Sequence, residues 1–410
     1  MPKTDALSIL QICKKYPYPL KDGESIAINN LSRSLAGAGA RVSMLAMNTA
    51  RHPYKGSGTP PAFDHYDRVD TVPVDNRIKL WAAFRNLFST DSYHISRFVS
   101  EAFAKKLTEL LQHRSFDIIQ LETVYLVPYI PVIRKYSKAL ICLRAHNLEH
   151  EIWERIVRNT PAGPKRWYLQ HLTTKLHRYE VNALQQFDLL AAITRRDLEA
   201  FQKLGFAGEA VVCPIGLDLA DYQRPELQLN GHLSMSFIGS LDWMPNIEGL
   251  QWFLQKVWPE AHKQWPSVRL HIAGRNTPDW LKSRPELGIT VHGEVPDAAD
   301  FINEHPLMVV PLLSGSGMRA KILEGMALGK VVITTRLGLE GIDAEPGKDV
   351  LVADNLDEFR EALAMVLRDP QQLTRMGERA RSLVSTHYDS SRIGERLLAT
   401  YQQTWVDAVS

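Results

Sequence analysis

Short runs of apolar and β-branched residues alternate along the chain with longer amphipathic stretches. Apolar runs without polar alternation are typical of strands in a parallel sheet, because helices cover both faces of such a sheet. In the first half of the chain these runs lie at 7–12, 41–46, 117–121, 139–143 and 189–193. Between them, apolar residues recur at helical spacing, which predicts helices that include residues 26–36, 96–112 and 167–186.

The same alternation starts again in the second half, with strands predicted at 235–238, 268–273, 289–291, 308–311 and 331–334. Two βα series in succession predict an α/β protein of two doubly wound, Rossmann-like parallel-sheet domains, with the ligand in a cleft at the C-terminal strand ends. The helical pattern stops near Gly205, and prolines and glycines punctuate the chain up to Gly231. We therefore predict domains over 1–205 and 232–385, joined by a linker at 206–231. The last helix, 386–410, either caps the second domain or crosses back to the first.

The composition agrees with two soluble globular domains. Of the 410 residues, 45% are hydrophobic and 23% are charged, which excludes a disordered chain. The three cysteines, Cys13, Cys142 and Cys213, are far apart and show no metal-binding spacing, so we expect a reduced protein in the cytoplasm. The apolar run near the N-terminus is followed by no signal-peptide cleavage site, and no apolar run approaches the roughly 20 residues of a membrane span.

The net charge of +2 conceals an uneven distribution. Residues 1–205 contain 29 Lys and Arg and 19 Asp and Glu, a net charge of +10, so the remaining residues hold 19 and 27, a net charge of −8. The overall balance gives no indication of a nucleic-acid partner. Basic and aromatic residues between 153 and 178 suit a helix at an anionic membrane surface, although a helix packed on its own domain would show the same pattern. These residues are Trp153, Arg155, Arg158, Lys165, Arg166, Trp167, Tyr168, Lys175 and Arg178.

The segment 308–335 reads as a strand, a glycine-containing loop, a helix and a strand. Gly315 and Gly317 allow a ligand to approach the backbone, and the N–H groups of the following helix point at the same loop. Arg319 and Lys321 add two positive charges at the helix start, where cations oppose the helix dipole unless an anion is bound. A diphosphate suits this place, and Glu324, one turn further on, could accept hydrogen bonds from two ribose hydroxyls. The segment matches neither a Walker loop nor a dinucleotide fingerprint.

Several segments in a fixed order resemble the GT-B-fold glycosyltransferases of the family 4 type, which transfer a sugar from a nucleotide-sugar donor with retention. They are YPLKDG at 18–23, RAHNLE at 144–149, VCPIGLD at 212–218, FIGS at 237–240 with Pro245 and Asn246, AGR at 273–275, GEVP at 293–296 and the segment 315–329. The resemblance covers nearly the whole chain. It implies a transferase of cell-surface polysaccharide or glycoconjugate assembly, with a nucleotide sugar and a glycan or lipid-linked acceptor as its partners.

The resemblance also implies roles for individual residues. His146 contacts the donor sugar, Arg319 and Lys321 neutralise the diphosphate, and Glu324 binds the ribose. The predicted donor-binding positions are Gly23, Gly239, Arg275, Gly293, Val295, Gly315, Ser316, Gly317 and Met318. No cofactor and no metal are expected, since the sequence has no DxD carboxylate pair. The leaving diphosphate itself would help to take the acceptor proton.

The sequence departs from the family pattern at three important positions. Ser316 stands where the family has the first of two glutamates, and Ser240 and Asn246 stand where it has an arginine and a lysine. We expect Arg319 and Lys321 to supply these missing charges from the other loop. The acceptor would bind the basic first domain through residues such as Lys14, Lys15, Lys21 or Arg144. Asn147 and Glu149 are expected either to cap the next helix or to touch the ligand.

Two other functions remain open at this point. A sugar-nucleotide epimerase on the same fold would need catalytic carboxylates, for which Glu122 and Glu149 are the candidates. A non-catalytic scaffold that binds sugar nucleotides is suggested by the three departures from the family pattern. A nicotinamide-dependent enzyme is less consistent with the sequence, because neither domain opens with a strand, GxGxxG and a helix.

Overall fold

The computed structural model describes residues 6–20, 23–50, 52–56, 58–77, 81, 85–87, 89, 91–223, 233–282, 288–315 and 317–409. The chain divides into two compact units. The first unit consists of Met1–Gly216 together with Ser390–Ser410, and the second unit of Leu217–Asp389. Both units are parallel α/β folds, so the predicted fold class is confirmed.

The first unit is built on a seven-stranded sheet, as far as the described residues show, with the order β3-β2-β1-β4-β5-β6-β7. Its strands are β1 (Ser8–Cys13), β2 (Arg41–Thr49), β3 (Arg68–Val74), β4 (Ile118–Leu121), β5 (Leu140–Ala145), β6 (Leu189–Ala192) and β7 (Glu209–Val212). Every pair of neighbours is parallel. The strand order reverses between β1 and β4, and ligands of open α/β sheets bind at such a switch point.

Helices cover both faces of this sheet. They are α1 (Gly23–Gly37), α2 (Tyr93–Ser96), α3 (Glu101–His113), α4 (Ile130–Tyr136), α5 (Glu149–Arg158), α6 (Pro164–Ala183), α7 (Arg195–Lys203) and α16 (Ser390–Val409). Alternate strand residues supply two separate cores, one containing Leu10, Ile119 and Leu143 and the other Ile9, Ile118 and Cys142. A turn at Gly37–Gly39 ends α1, with Gly39 at φ +100°.

The C-terminal helix α16 packs on α1 within the first unit. The two helices approach so closely that a Cβ atom added at Gly394 would lie 2.5 Å from the Ser34 Cβ atom. Tyr401 on the same helix has no exposed surface, and its hydroxyl donates a hydrogen bond to Gln120 Oε1 on β4 (2.6 Å). The last helix is therefore a structural part of the first unit.

The second unit has a six-stranded parallel sheet, in the described part of the chain, with the order β10-β9-β8-β11-β12-β13. Its strands are β8 (Ser234–Ile238), β9 (Arg269–Ala273), β10 (Ile289–Gly293), β11 (Leu307–Val310), β12 (Val331–Thr334) and β13 (Leu351–Val352). Its helices are α8 (Met244–Trp252), α9 (Trp258–Gln264), α10 (Asp279–Lys282), α11 (Ala298–Asn303), α12 (Ala320–Ala327), α13 (Arg336–Leu339), α14 (Leu356–Arg368) and α15 (Gln371–His387). A single π-helical turn, Phe253–Val257, joins α8 to α9. The strand order reverses between β8 and β11, which are followed by the two glycine-bearing loops that the sequence singled out.

Three strands were not predicted, and each of them is an edge strand. β3 alternates exposed and buried residues, β7 is four residues long and begins at exposed Glu209, and β13 has two residues. Edge strands lack the continuous apolar pattern of strands that are covered on both sides. As a result, β7 lies inside the stretch that the sequence assigned to a linker at 206–231, and the first unit extends to Gly216.

Among the described residues, no helix combines the length and the apolar character needed to cross a bilayer.

Candidate active site

The loop between β11 and α12 carries two glycines and the first of the two predicted cations. Gly315 and Gly317 have φ values of +104° and +78°, in the left-handed region that favours glycine. Arg319 is 4% exposed, and a Cβ atom added at Gly315 would lie 3.5 Å from its Nη2 atom. Arg319 is also the N-cap residue of α12. The loop therefore places a guanidinium beside a helix N-terminus, and both features favour an anion.

Lys321 lies in the first turn of α12 and extends to the loop that follows β8. Its Nζ atom donates hydrogen bonds to Asn246 Oδ1 (2.6 Å) and to the carbonyl oxygen of Ile238 (3.2 Å). A Cβ atom added at Gly239 would lie 2.8 Å from the same Nζ atom. The ammonium group is therefore held at the junction of the two loops that follow β8 and β11.

Burial and neighbouring charges shift the pKa values of the ionisable side chains on α12. Burial lowers the pKa of Lys321 to about 8, while Glu324 opposes the shift and Arg319 adds to it. Burial also raises the pKa of Glu324, against the effects of Lys321 and of the Tyr222 hydroxyl, which donates to Glu324 Oε1 (3.4 Å). A bound anion would offset the cost of holding two cations in a poorly solvated place.

One close backbone contact brings α8 onto this site. A Cβ atom added at Gly249 would lie 1.5 Å from the carbonyl oxygen of Pro311, so no side chain fits there. The contact places Glu248 beside the loop, where its carboxylate accepts a hydrogen bond from Ser314 Oγ (2.6 Å). The path of the loop after β11 is therefore fixed before it reaches Gly315.

Backbone hydrogen bonds join the loops after β8, β9 and β10. The N–H group of Gly274 donates to the carbonyl oxygen of Gly293 (2.7 Å), and that of Leu241 donates to the carbonyl oxygen of Arg275 (2.9 Å). Gly293 has a φ of +73° with open space around it, so the backbone conformation requires this glycine. Val295 follows two residues later and is partly exposed. These residues share the C-terminal edge of the sheet with the loop that contains Arg319.

In the first unit, a fully buried carboxylate, Glu122, lies directly after β4. Its Oε1 atom accepts hydrogen bonds from Gln11 Nε2 (2.6 Å) and from Gln120 Nε2, and its Oε2 atom accepts one from Arg144 Nη1 (3.1 Å). Burial by itself raises the pKa of Glu122, but Arg144 and His146 outweigh it and lower the pKa to about 2. Glu122 is therefore ionised and acts only as an acceptor.

Two tyrosines orient the amides around this carboxylate. The Tyr66 hydroxyl donates to Gln11 Oε1 and the Tyr401 hydroxyl donates to Gln120 Oε1, both at 2.6 Å. Each glutamine therefore presents its NH₂ group to Glu122. The two tyrosines, the two glutamines and Arg144 are all buried, so the carboxylate is held in one orientation by groups that belong to different elements.

His146 follows β5 and is the part of this network nearest to solvent. Its side chain is 12% exposed, and its Nε2 atom lies 3.0 Å from Glu122 Oε2. Burial lowers the pKa of His146, and the Glu122 carboxylate opposes that shift. The ring is thus anchored through one nitrogen atom at the switch point of the first sheet.

Other charged side chains surround the same sheet end. Lys14 and Lys15 follow β1, and the Nζ atom of each lies 3.4 Å from the carboxylate of Glu24 at the start of α1. Burial by itself raises the pKa of Glu24, but the two lysines outweigh it and lower the pKa to about 2. Lys14 also lies over the ring of Tyr125, whose hydroxyl donates to Glu149 Oε2 (2.9 Å). Lys14 and Lys15 are therefore both paired with the carboxylate of Glu24.

Residues 233–369, most of the second unit, match the family model described as Glycosyl transferases group 1. In addition, an uncharacterized 44.6 kDa protein in the cps region of Klebsiella pneumoniae is 22% identical over 302 residues, which are 70% of this chain and 75% of that protein.

Solved structures agree over almost the entire length. Sucrose-phosphate synthase from Thermosynechococcus elongatus is 19% identical with a TM-score of 0.69, covering 98% of this chain and all of that one. HepE from Anabaena in complex with UDP is 15% identical with a TM-score of 0.65, covering 97% of this chain and all of that one. Residues 233–369 thus form a glycosyltransferase domain, and the chain as a whole has the GT-B fold. The predicted GT-B fold and the predicted enzyme class, a glycosyltransferase, are thus confirmed, while retention stays a prediction.

The structure places most predicted donor-site residues of this glycosyltransferase at one sheet edge. Arg319, Lys321 and Glu324 lie on or before α12, Met318 is buried in the preceding loop, and Gly239 underlies Lys321. Two predicted positions belong to the first unit: His146 follows β5, and Gly23 is exposed at the start of α1. Ser316 and Lys21 lie outside the described residues.

Three expectations about the first unit of the glycosyltransferase need correction. Arg144 does not face an acceptor, because it is 1% exposed and pairs with Glu122. Lys175 does not lie on a membrane-facing surface, since it is buried and donates to the carbonyl oxygen of Asn86. Neither Asn147 nor Glu149 caps α5 through its side chain. The carboxylate of Glu180, on α6, instead accepts hydrogen bonds from the first N–H groups of that helix.

Two contacts within the candidate site were not predicted from the sequence. Tyr222 contacts Glu324, although the two residues are 102 positions apart in the sequence. Glu122 contacts His146, which lies 24 positions further along the chain. Glu122 had drawn attention only as a carboxylate for epimerisation. Because its oxygens are already occupied by an arginine, a histidine and two amides, it is not available as an acid or base for a substrate.

Proposed function

We propose that this glycosyltransferase transfers a sugar from a nucleoside diphosphate sugar to a glycan or lipid-linked acceptor, with retention at the anomeric carbon. The single observation that carries the proposal is the position of the Lys321 ammonium, 2.6 Å from Asn246 Oδ1, with Arg319 preceding the same helix. The family resemblance implies a lysine at the position of Asn246. The cation therefore reaches the expected diphosphate position from another element.

The donor would bind the second unit through three sets of groups. Arg319, Lys321 and the loop at Gly315 would hold the diphosphate, and Glu324 would accept hydrogen bonds from the ribose. The turn at Gly293 and Val295 would accommodate the base. HepE, which shares this fold, was solved with UDP and with UDP-glucose, so UDP-sugars are the first donors to test.

Charge development explains how such a site would accelerate transfer. As the glycosidic bond breaks, its electron pair leaves with the diphosphate, whose negative charge grows. Cations and N–H groups that are already aimed at the diphosphate stabilise this charge more in the transition state than in the ground state. The acceptor hydroxyl forms the new bond to the anomeric carbon, and its proton passes to the departing diphosphate. No protein nucleophile and no metal are needed for this sequence of events.

The cps-region relative and the charge distribution of the chain support a proposal for the cellular setting. A role in cell-surface polysaccharide or glycoconjugate assembly fits the first of these. We further propose that the protein acts in the cytoplasm, with the basic first unit in peripheral contact with the inner face of an anionic membrane. Exposed Lys165, Arg166 and Trp167, at the start of α6, are the residues that suit this contact best.

A panel of nucleotide sugars followed by a turnover assay tests the proposal. We expect one donor to raise the melting temperature, and the nucleoside diphosphate to be released only when an acceptor is present. Glu324→Ala and Arg319→Ala should abolish the melting-temperature shift, and NMR of the product should show the anomeric configuration of the donor. Conversion of the sugar without acceptor would indicate an epimerase. Donor binding without release to any acceptor would indicate a scaffold.

A further inference from the structure

Tyr222 follows a short 3₁₀ turn, Leu219–Asp221, at the start of the second unit. Its hydroxyl donates a hydrogen bond to Glu324 Oε1 on α12 (3.4 Å). The carbonyl oxygen of the next residue, Gln223, accepts a hydrogen bond from Asn303 Nδ2 at the end of α11 (3.1 Å). The position of the tyrosine is therefore fixed by two helices of the same unit.

The carboxylate of Glu324 has room for more acceptor contacts than the one with Tyr222. An ionised carboxylate accepts about four hydrogen bonds through its two oxygens, and Tyr222 uses one of them. The tyrosine and the two hydroxyl groups of a ribose can therefore bind the same carboxylate together. In a partly buried place, however, a carboxyl group tends to keep its proton, and a protonated group accepts fewer hydrogen bonds.

We infer that Tyr222 is a positioning residue, which holds the Glu324 carboxylate ionised and in one orientation so that it accepts hydrogen bonds from both ribose hydroxyls of the nucleotide. The inference rests on the proposed function for the nucleotide itself. It goes beyond that function by making ribose recognition depend on a second residue, which acts through Glu324.

The charges around this pair agree with a tyrosine that donates to an ionised carboxylate. Burial raises the pKa of Glu324, whereas Lys321 and the Tyr222 hydroxyl lower it. Burial and the charge of Glu324 raise the pKa of Tyr222, so the hydroxyl keeps its proton at neutral pH. The charged side chains near the pair, which belong to α12, the residue before it, the 3₁₀ turn and the start of α11, are Lys321, Arg319, Asp221 and Asp297.

Calorimetry of the full chain with UDP and with 2′,3′-dideoxyuridine diphosphate tests the inference. Tyr222→Phe should weaken UDP binding about three- to tenfold at pH 7, which is the effect of one hydrogen bond. It should leave the affinity for the dideoxy nucleotide unchanged, because that nucleotide lacks both hydroxyls. An equal loss for the two nucleotides would overturn the inference. Tighter binding of UDP would also overturn it, because the tyrosine would then compete with the ribose.

The pH dependence gives a readout that a purely structural role would not change. Without the Tyr222 hydroxyl, Glu324 takes up its proton at a higher pH. The ratio of the wild-type affinity for UDP to that of Tyr222→Phe should therefore increase as the pH falls from 7.5 to 5.5. Titration of the UDP phosphates affects both proteins alike and cancels in this ratio. A ratio that stays constant would contradict the inference.

A titration of the free protein does not depend on any ligand. In ¹³C NMR with labelled glutamate carboxyl groups, the signal of Glu324 is the one that is absent in Glu324→Gln. Its pKa should be higher in Tyr222→Phe than in the wild-type protein, and an unchanged pKa would count against the inference. Tyr222 is partly exposed, so we expect Tyr222→Phe to fold.

Tyr388→Phe is the matched control, because it removes another hydroxyl of the second unit, one that accepts a hydrogen bond from the N–H group of Asp343. It should lower the melting temperature without changing UDP affinity or the pKa of Glu324. If Glu324→Gln left UDP binding unchanged, the ribose site in the proposed function would be wrong. If Glu324→Gln weakened binding but Tyr222→Phe did not, the inference alone would fail.

Discussion

The charged group of Lys321 lies at a different element from its backbone. Its backbone belongs to α12, but its Nζ atom lies at the loop after β8, against Asn246 and the backbone of Ile238. The sequence identifies this residue as a candidate for the site, because it lies in one short segment with Arg319 and Glu324. The destination of its side chain is not visible in the sequence, because 75 positions separate Lys321 from Asn246.

Binding of UDP should be coupled to proton uptake through Lys321. Burial lowers the pKa of this ammonium from 10.5 to about 8, so about half of the free folded molecules have lost this proton near pH 8. A diphosphate would favour the charged form and raise the pKa again. We expect calorimetry at pH 8.5, in buffers of different ionisation enthalpy, to show proton uptake on UDP binding, and the affinity to fall as the pH rises above about 8.

The matched control is Lys321→Arg, whose guanidinium remains charged throughout this range. It should bind UDP without proton uptake. In the free wild-type protein, the lowered pKa means that the unfolded state binds more protons between pH 8 and 10.5, so this group makes the free energy of unfolding rise with pH there. Proton uptake of the same size in Lys321→Arg would show that another group is responsible.

We expect that a cation on the loop after β8 can replace the ammonium group of Lys321. Lys321→Met removes the cation and should weaken UDP binding by about 10- to 100-fold, as expected for a hydrogen bond to a charged group. Adding Asn246→Lys to this variant places an ammonium at the neighbouring position and should restore part of the affinity, as measured by calorimetry. No recovery in a folded double variant would contradict the equivalence of the two positions.

Among elements, the contact between α1 and α16 leaves no room for a side chain at Gly394. Gly394→Val would place a branched side chain where a Cβ atom already lies 2.5 Å from Ser34, so the helices must separate. We expect urea unfolding to show a loss of about 1–3 kcal/mol in the free energy of unfolding of the first unit. Gly37→Ala in α1 is the control, because nothing lies within 4 Å of an added Cβ atom. It should be neutral or stabilising by up to about 1 kcal/mol.

The elements that the sequence predicts are those whose residues have one environment along their length. The central strands β1, β4, β5 and β6 are mostly apolar and almost entirely buried, so their pattern is sufficient. The edge strands β3 and β7 were missed because exposed residues interrupt theirs. In the same way, the sequence did not show which basic residues of α6 lie on the surface and which lie in the interior. Lys175 is buried there, whereas Lys165 and Arg166 are exposed.

For the molecule as a whole, the unequal charge of the two halves predicts binding to anionic vesicles. Wild-type protein should sediment with vesicles that contain anionic lipid, and binding should decrease with increasing salt. Lys165→Glu with Arg166→Glu should reduce the partition coefficient by about tenfold or more, at roughly 1 kcal/mol for each basic residue.

An equal change of charge in the second unit serves as the comparison. Lys263→Glu with Arg381→Glu, both exposed positions, alters the net charge by the same amount. It should leave vesicle binding nearly unchanged. If both pairs of substitutions reduced binding alike, overall charge rather than the start of α6 would be the cause.

The route of the chain has a consequence for anyone who wishes to exchange parts between such enzymes. The first unit is formed by two separate stretches of the chain, so the second unit is an insertion within the first. The junctions are Gly216–Leu217 and Asp389–Ser390. Near these junctions the N–H group of Leu217 donates to the carbonyl oxygen of Tyr388 (2.8 Å), so the two crossing segments are neighbours. A chimaera with a foreign donor unit therefore requires two splices. A protease cut at one junction should leave both fragments together, because α16 remains docked on α1.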